Sequence, residues 1–559
     1  MDYKRMTIYQ IYPRSFCDSN GDGIGDIKGI ISKLDYIKQL GVDAIWFSPL
    51  YCSPNADYGY DISDYKNINS EYGDMQDFDL LLEEMHKRNL KCIMDLVINH
   101  TSSSHEWFKQ SRSSLTNPYR NYYIWAKGRG KDGKKPPNNW TSFFIGKAWE
   151  YDETTKEWYL HLFDACQPDL NYSNPAVKQE IKDILKFWLD KGVDGFRCDV
   201  INIIAKAKGL PNGKANIALV GKEHYLNQPE LYNILRELRN DVLDKYDTYT
   251  VGESVLINVE DAIKLTDKNA PLLNTVFAFE QMSADNYFGV KQLKRKFSLK
   301  YLKNAHKHWQ NGLFDKGWNT NYFENHDQAR IVGRYCLDNA KYRELGSKML
   351  ANVMFFLSGT PYVYQGQEIG MTSVRMQNID DYKDVESHRS YKLLHKFLTK
   401  KLTMKLVAYS SRDNARTPMQ WNSSKQGGFS SSDTTWLKVN PNYKEINVKS
   451  QIDKQTSPLN YYKRLIALRK THDEMIFGTY SLINIGGNKL YAYLREFEGK
   501  RLVVISNFTV KDYKFKATKL GLTYASSKLF ISNYPDSSPY LCSCKLRAYE
   551  SVVYELLDK

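Results

Sequence analysis

The chain has 559 residues, 42% apolar and 25% charged, with a formal net charge of +14, which is the make-up of a globular protein with a sizeable core. No run of 18 apolar residues predicts a membrane span. The lysines are spread along the chain and interleaved with acids, so nucleic acid is not an expected partner.

The opening "MDYKRMTIYQIYPRSF" has no apolar h-region and no small-residue cleavage site, which predicts a cytoplasmic protein. The eight cysteines fit that compartment as free thiols: Cys17, Cys52, Cys92, Cys166, Cys198, Cys336, Cys542 and Cys544 contain no CxxC spacing. Cys542 and Cys544 fall on one side of a strand, but two ligands do not make a zinc site.

"DSNGDGIGD" (18–26) places Asp18, Asn20, Asp22 and Asp26 at positions 1, 3, 5 and 9, with Gly23 at position 6. This resembles the start of an EF-hand loop, but position 12 is Gly29 instead of Glu, so it is not an EF-hand. Oxygen ligands at alternate positions, with the Ile24 carbonyl, suit Ca²⁺.

Residues 29–48 then read as helix, glycine stop and strand, with Leu34, Ile37 and Leu40 at helical spacing and "DAIWFS" as a buried strand. The same unit returns at 77–98, 177–200, 229–252 and 345–364. Helices alternating with fully apolar strands predict a parallel sheet wrapped by helices. This many units in one chain predict an α/β fold of the (β/α)8 TIM-barrel type. Residues 101–170, polar and aromatic with the loop "GRGKDGKKPPNNW", break the rhythm as an insertion after the third strand. From about 480, "GTYSLINI", "KLYAYLREF", "RLVVISNF" and "SVVYELL" read as short antiparallel strands. The expected domains are a catalytic barrel over 1–100 and 171–480, an inserted subdomain over 101–170, and a C-terminal β-sandwich over 481–559.

Barrel chemistry sits where strands end. Asn99–His100, Asp199, Glu253 and Asn325–His326–Asp327 each close a predicted strand. Within "GFRCDVINII", Arg197 and Asp199 are two residues apart and point to one side, while their apolar neighbours pack outward. An adjacent cation lowers a carboxylate pKa, so Arg197 is expected to keep Asp199 ionised as a nucleophile. A second carboxyl, Glu253, would protonate the leaving oxygen, completing the pair of a retaining glycosidase. Asp327 would add negative charge near an oxocarbenium-like transition state. His100 and His326 would bond sugar hydroxyls.

The motifs "DLVINH" (95–100), "QPDLN" (167–171), "GFRCDV" (195–200), "TVGES" (250–254) and "YFENHD" (322–327) resemble those of the α-amylase family, glycoside hydrolase family 13, over nearly the whole chain. The resemblance implies Asp199 as nucleophile, Glu253 as acid/base and Asp327 as transition-state stabiliser. "DYGYDISDY" (57–65), "SGTPYVYQGQEIGM" (358–371) and "RDNARTPMQW" (412–421) look like the exo-acting oligo-1,6-glucosidase branch. There, residues matching Asp57, Tyr60 and Arg416 hold the terminal glucose in a blocked pocket, and Phe144 resembles its aromatic wall.

Val200, just after the nucleophile, tilts the reading towards α-1,6 linkages, because members with Val there tend to cut them. One methyl group discriminates by only about 1–3 kcal/mol. Trehalose-6-phosphate hydrolysis, α-1,4- or sucrose-directed α-glucosidase activity and sucrose isomerisation stay open within the branch. The basic run at 291–309 suits a phosphorylated substrate, and Glu386 would line the second sugar's site. The resemblance also implies a structural Ca²⁺ or Mg²⁺ on Asp18, Asn20, Asp22, Ile24 and Asp26, no catalytic cofactor, and a monomer acting on small oligosaccharides.

Overall fold

The computed structural model describes every residue except 217, 288, 289, 542, 543, 558 and 559. Cys542 therefore lies outside the described residues; Cys17, Cys52, Cys92, Cys166, Cys198 and Cys336 are free thiols. Among the described residues no helix is long and apolar enough to cross a membrane.

The five repeated units all form. The helix Leu34–Leu40 buries Leu34, Ile37 and Leu40 and ends on Gly41 at φ 96°, a left-handed stop that glycine adopts without strain. Met75–Lys87 starts on a capping box in which Asp74 accepts from the backbone N–H groups of Gln76 and Asp77. Its buried Phe78, Leu81, Leu82 and Met85 form one apolar stripe. Pro175–Lys191 combines an Asn174 cap, proline in its first turn and Gly192 at φ 107° as its stop.

Eight parallel strands carry the fold: β1 (Ile8–Ile11), β2 (Ala44–Phe47), β3 (Lys91–Leu96), β4 (Gly195–Cys198), β5 (Tyr249–Glu253), β6 (Thr275–Phe277), β7 (Thr320–Asn321) and β8 (Thr360–Tyr364). The chain divides into two compact units within β2. One holds Met1, Trp46–Ala278 and Lys383–Leu398; the other holds Asp2–Ile45, Phe279–Tyr382 and Thr399–Lys559.

In the first unit the hydrogen-bonded order is β6–β5–β4–β3 and on to β2. Register places Asp95 beside Arg197, and Arg197 beside Val251. Phe196 and Cys198 turn to the other face, lining an apolar gap with Leu185, Leu235 and Leu238 of the covering helices. The segment after β3 adds a three-stranded antiparallel sheet of Trp125–Ala126, Glu157–Leu160 and Trp149–Asp152. Its core packs Trp140, Trp149, Trp158 and Leu160 with Val200 and Ile203.

In the second unit β1 pairs with β8, Ile8 facing Tyr362, and β8 pairs with β7. Parallel strands in sequential order, with the first paired to the eighth, follow the strand order of a (β/α)8 barrel. This unit also carries the five-stranded antiparallel sheet of Thr479–Ile483, Leu490–Phe497, Lys500–Asn507, Ser551–Leu557 and Ser526–Ser532, in that order. Leu490, Ala492, Val503, Ile505 and Val552 form its core. The fold is a (β/α)8 barrel with an insertion after its third strand and a C-terminal antiparallel β region, as the sequence leads one to expect.

Candidate active site

In the first unit, three carboxylates converge on one guanidinium. Arg197, 2% exposed at its side chain, donates from Nη1 to Asp95 Oδ1 at 2.7 Å and Oδ2 at 3.0 Å, and to Asp199 Oδ1 at 2.7 Å. Its Nη2 donates to Glu253 Oε2 at 2.5 Å. Trp46 and Tyr60 place ring faces 5.1 and 5.8 Å from the cation. A buried guanidinium spreads its donors in a rigid plane and so reaches carboxylates on three strands, where a lysine ammonium offers a compact point charge.

The charge count corrects one expectation. Burial pushes the Asp199 carboxyl well above the usual aspartate range, and the negative charges of Glu253 and Asp95 add to it, outweighing the pull of Arg197. Burial likewise raises Asp95 to about 6, against the pull of Arg197 and the Tyr60 hydroxyl. One cation is too few for three desolvated acids. The charges that raise Asp199 belong to its neighbours, so it does not titrate independently of them.

Val200, next along, sits at φ 35°, ψ 40°, a left-handed conformation that costs a β-branched residue about 1–3 kcal/mol. The turn aims the Val200 N–H at Glu253 Oε2, 3.3 Å away.

His100 is buried between Asn99 Nδ2 (3.2 Å from Nδ1) and the Tyr60 carbonyl (3.1 Å from Nε2). Burial pushes its pKa down to about 4, so the ring is neutral at pH 7. The "QPDLN" segment braces this region: Gln167 Nε2 reaches Asp57 Oδ2 at 3.4 Å and the Tyr60 carbonyl at 3.3 Å. Asp169 pairs with the buried Lys206 at 2.7 Å, and Lys206 also donates to Asn99. Asp57 is 4% exposed, its backbone N–H donating to the Asp61 carboxylate. Tyr60 donates to Asp95 Oδ2 at 3.0 Å. Phe144 stands edge-on to Phe163, whose ring lies 5.1 Å from His100. Arg389, from the helix that also carries Glu386, donates to the Phe144 carbonyl and pairs with Asp164.

In the second unit Asp327 has the opposite surroundings. Arg416, fully buried, donates from Nη2 to Asp327 Oδ1 at 2.9 Å and from Nε to the His326 carbonyl. Arg412 approaches the same oxygen at 3.5 Å, and His326 Nε2 lies 3.2 Å from Oδ2. Lys291 donates to the Asp327 carbonyl. Burial alone would raise this carboxyl, but the charges of His326, Arg412, Arg416 and Lys291 outweigh it and hold it well below the usual range. His326 stacks on Tyr12 and meets Gln10 Nε2 at 2.8 Å through Nδ1.

The acidic loop of the second unit is ordered by its own backbone. Asp18 accepts from the N–H groups of Asn20, Gly21 and Gly23 and from the Ser430 hydroxyl. Asp22 accepts from Ile24 N–H at 2.7 Å. Asp26 caps the helix Ile27–Ile31 and also accepts from Ser19. Among the described residues no three acid, histidine or cysteine side chains gather as a metal-holding group. The donor chemistry, carboxylate and amide oxygens on a loop held open by glycines, still fits a hard cation.

Asp95, Gln167 and Arg412 join these clusters without a role expected from the sequence. Asp95 carries the same signal as Arg197, a lone charge in an apolar strand. Arg412 sits four residues before Arg416, one helical turn away.

The family profile described as "Alpha amylase, catalytic domain" matches residues 10–478. An oligo-1,6-glucosidase of Parageobacillus thermoglucosidasius is 50% identical over 99% of both chains. One of Bacillus cereus is 47% identical over 99% of both. The crystal structure of a trehalose-6-phosphate hydrolase from Bacillus licheniformis superposes with a TM-score of 0.94 at 42% identity, covering all of both chains. The chain belongs to the α-amylase family and is a glycoside hydrolase.

Proposed function

We propose that the protein is a retaining, exo-acting α-glucosidase that removes terminal non-reducing glucose from isomaltose and short α-1,6-linked gluco-oligosaccharides. The observation that carries the reading is the Arg197 bridge, which binds Asp199 and Glu253 from neighbouring strands to one guanidinium. Asp199 attacks the anomeric carbon while Glu253 protonates the departing oxygen. Water, deprotonated by Glu253, then releases α-glucose from the Asp199 ester. Asp327, kept ionised by its cations, stabilises the oxocarbenium-like transition state. Asp57, Tyr60, His100, Phe144, His326 and Arg416 hold the terminal glucose. The identity to two oligo-1,6-glucosidases and the bulk of Val200 support the α-1,6 preference.

One observation favours a second substrate. Lys294 lies over the Tyr409 ring at 3.6 Å; burial, then the charge of Arg375 and, more weakly, that of Lys405 lower its pKa, against the pull of Asp285. Such a cation cluster would welcome the phosphate of trehalose 6-phosphate. The loop 18–26 would hold a structural Ca²⁺ or Mg²⁺ through Asp18, Asn20, Asp22, the Ile24 carbonyl and Asp26, with no part in the chemistry. The free thiols support a reducing, cytoplasmic setting, and we take the protein as a monomer.

The test is a panel of isomaltose, maltose, sucrose and trehalose 6-phosphate, with released sugar followed by anomer-resolved NMR. Isomaltose cleaved fastest, with α-glucose appearing first, is the expected result. β-Glucose first would overturn the retaining mechanism; preference for trehalose 6-phosphate would overturn the α-1,6 assignment.

A further inference from the structure

We infer that Asn202 is a positioning residue for the acid/base carboxyl, acting through the backbone of Val255; the inference rests on the glucosidase reading above. The paired ladder between β4 and β5 reaches Cys198 and Gly252. Just beyond it the two strands deliver Asp199 and Glu253, whose separation decides what the pair can do.

Asn202 takes over where the ladder stops. Its side chain is completely buried. Its Oδ1 accepts from Val255 N–H at 3.0 Å, and its Nδ2 donates to the Val255 carbonyl at 2.8 Å. One amide thus satisfies both backbone groups of a single residue, as a neighbouring strand would. The amide is itself fixed: Nδ2 also meets Asn227 Oδ1 at 3.1 Å, and Asn227 N–H donates to the Asn202 carbonyl at 2.9 Å.

The turn lies close upon β5. A Cβ at Gly252 would come within 2.6 Å of Leu273 Cδ1 and 2.9 Å of Ile201 Cγ2, so the absent side chain lets Ile201 of the turn close in on the strand. On the same turn the left-handed Val200 sends its N–H to Glu253 Oε2, the oxygen that Arg197 also holds. Two donors occupy Oε2, so the proton Glu253 delivers belongs on Oε1. Val255, fixed by Asn202, anchors the chain two residues past Glu253 and keeps that oxygen aimed.

A residue that acts through the acid should matter only where an acid is needed. A sugar leaves as a poor alkoxide unless it is protonated; fluoride leaves from α-glucosyl fluoride with little help. Asn202→Ala should lower kcat/KM on isomaltose on the order of 10²-fold, the typical contribution of general acid catalysis. It should change kcat/KM on α-glucosyl fluoride by no more than about threefold, well under that contribution. Asn202→Gln retains the amide but shifts it by one methylene, and should show the same discrimination if the alanine variant does not fold. Equal losses on both donors, or no loss on either, would overturn the inference. Wild-type protein inert towards isomaltose would count against the glucosidase reading itself; trehalose 6-phosphate then replaces isomaltose in the same comparison, with the same discrimination expected.

Discussion

Asp199 and Asp327 are the same residue type in opposite surroundings. Asp199 shares one guanidinium with Asp95 and Glu253, and its pKa is driven up. Asp327 faces the charges of Arg416, Arg412, His326 and Lys291, and its pKa is driven down. Both lose solvation, so burial does not separate them. The ratio of cations to acids does. A raised pKa suits the proposed nucleophile by making its anion more basic, whereas an acid that only opposes positive charge is best locked in its ionised form.

Four changes probe this contrast, in order of expected effect. Asp199→Asn removes the proposed nucleophile and should lower kcat on isomaltose on the order of 10⁴-fold or more; activity within tenfold of wild type would dismiss it from that role. Arg197→Ala leaves three buried acids without their cation and should destabilise the protein by about 3–5 kcal/mol in urea unfolding. That loss should shrink at low pH, where the acids are neutral.

Asp95→Asn takes one negative charge from the cluster. Asp199 must be ionised to attack, so its raised pKa places the acid limb of kcat/KM above the ordinary aspartate value of about 4. Fewer neighbouring anions favour the ionised form, so Asp95→Asn should move that limb to lower pH. Arg412→Ala should leave the limb in place, because Arg416 and His326 still hold Asp327 ionised. An unmoved limb in the first variant, or a shifted one in the second, would break the comparison.

The smallest effect concerns the loop at 18–26. Calcium held there, at a hundredfold excess over its dissociation constant, would add about 2.7 kcal/mol. For a chain this long that means a rise of a few degrees or less in the melting temperature, reversed by EDTA. Asp22→Ala should abolish the calcium response without changing kcat; a response that survives would place the ion elsewhere.

The sequence made much of this legible because local rules fix it. Leu34, Ile37 and Leu40 declare a helix by spacing, and Arg197 and Asp199 declare a working face by being charged within an apolar strand. What it hid was the non-local sharing of charge. Arg197 beside Asp199 in sequence suggested an ion pair favouring the anion. Only the rung that brings Asp95 alongside Arg197, and the adjacent strand that brings Glu253, make the cation insufficient. Nor does the sequence show that the His100 ring nitrogens lie beside Asn99 Nδ2 and the Tyr60 carbonyl. Asn202 carried no sequence signal, since its partner Val255 lies on another strand's loop.

The central claim is that Asp199 forms a covalent bond to glucose and Glu253 serves it as acid and base. Glu253→Gln, treated with α-glucosyl fluoride, should still form the glucosyl ester but release it slowly. Acid quench, peptic digestion and mass spectrometry should then find one anhydroglucose on the peptide containing Asp199. An unmodified Asp199 peptide in protein that has released fluoride, or the sugar on another peptide, would contradict the account.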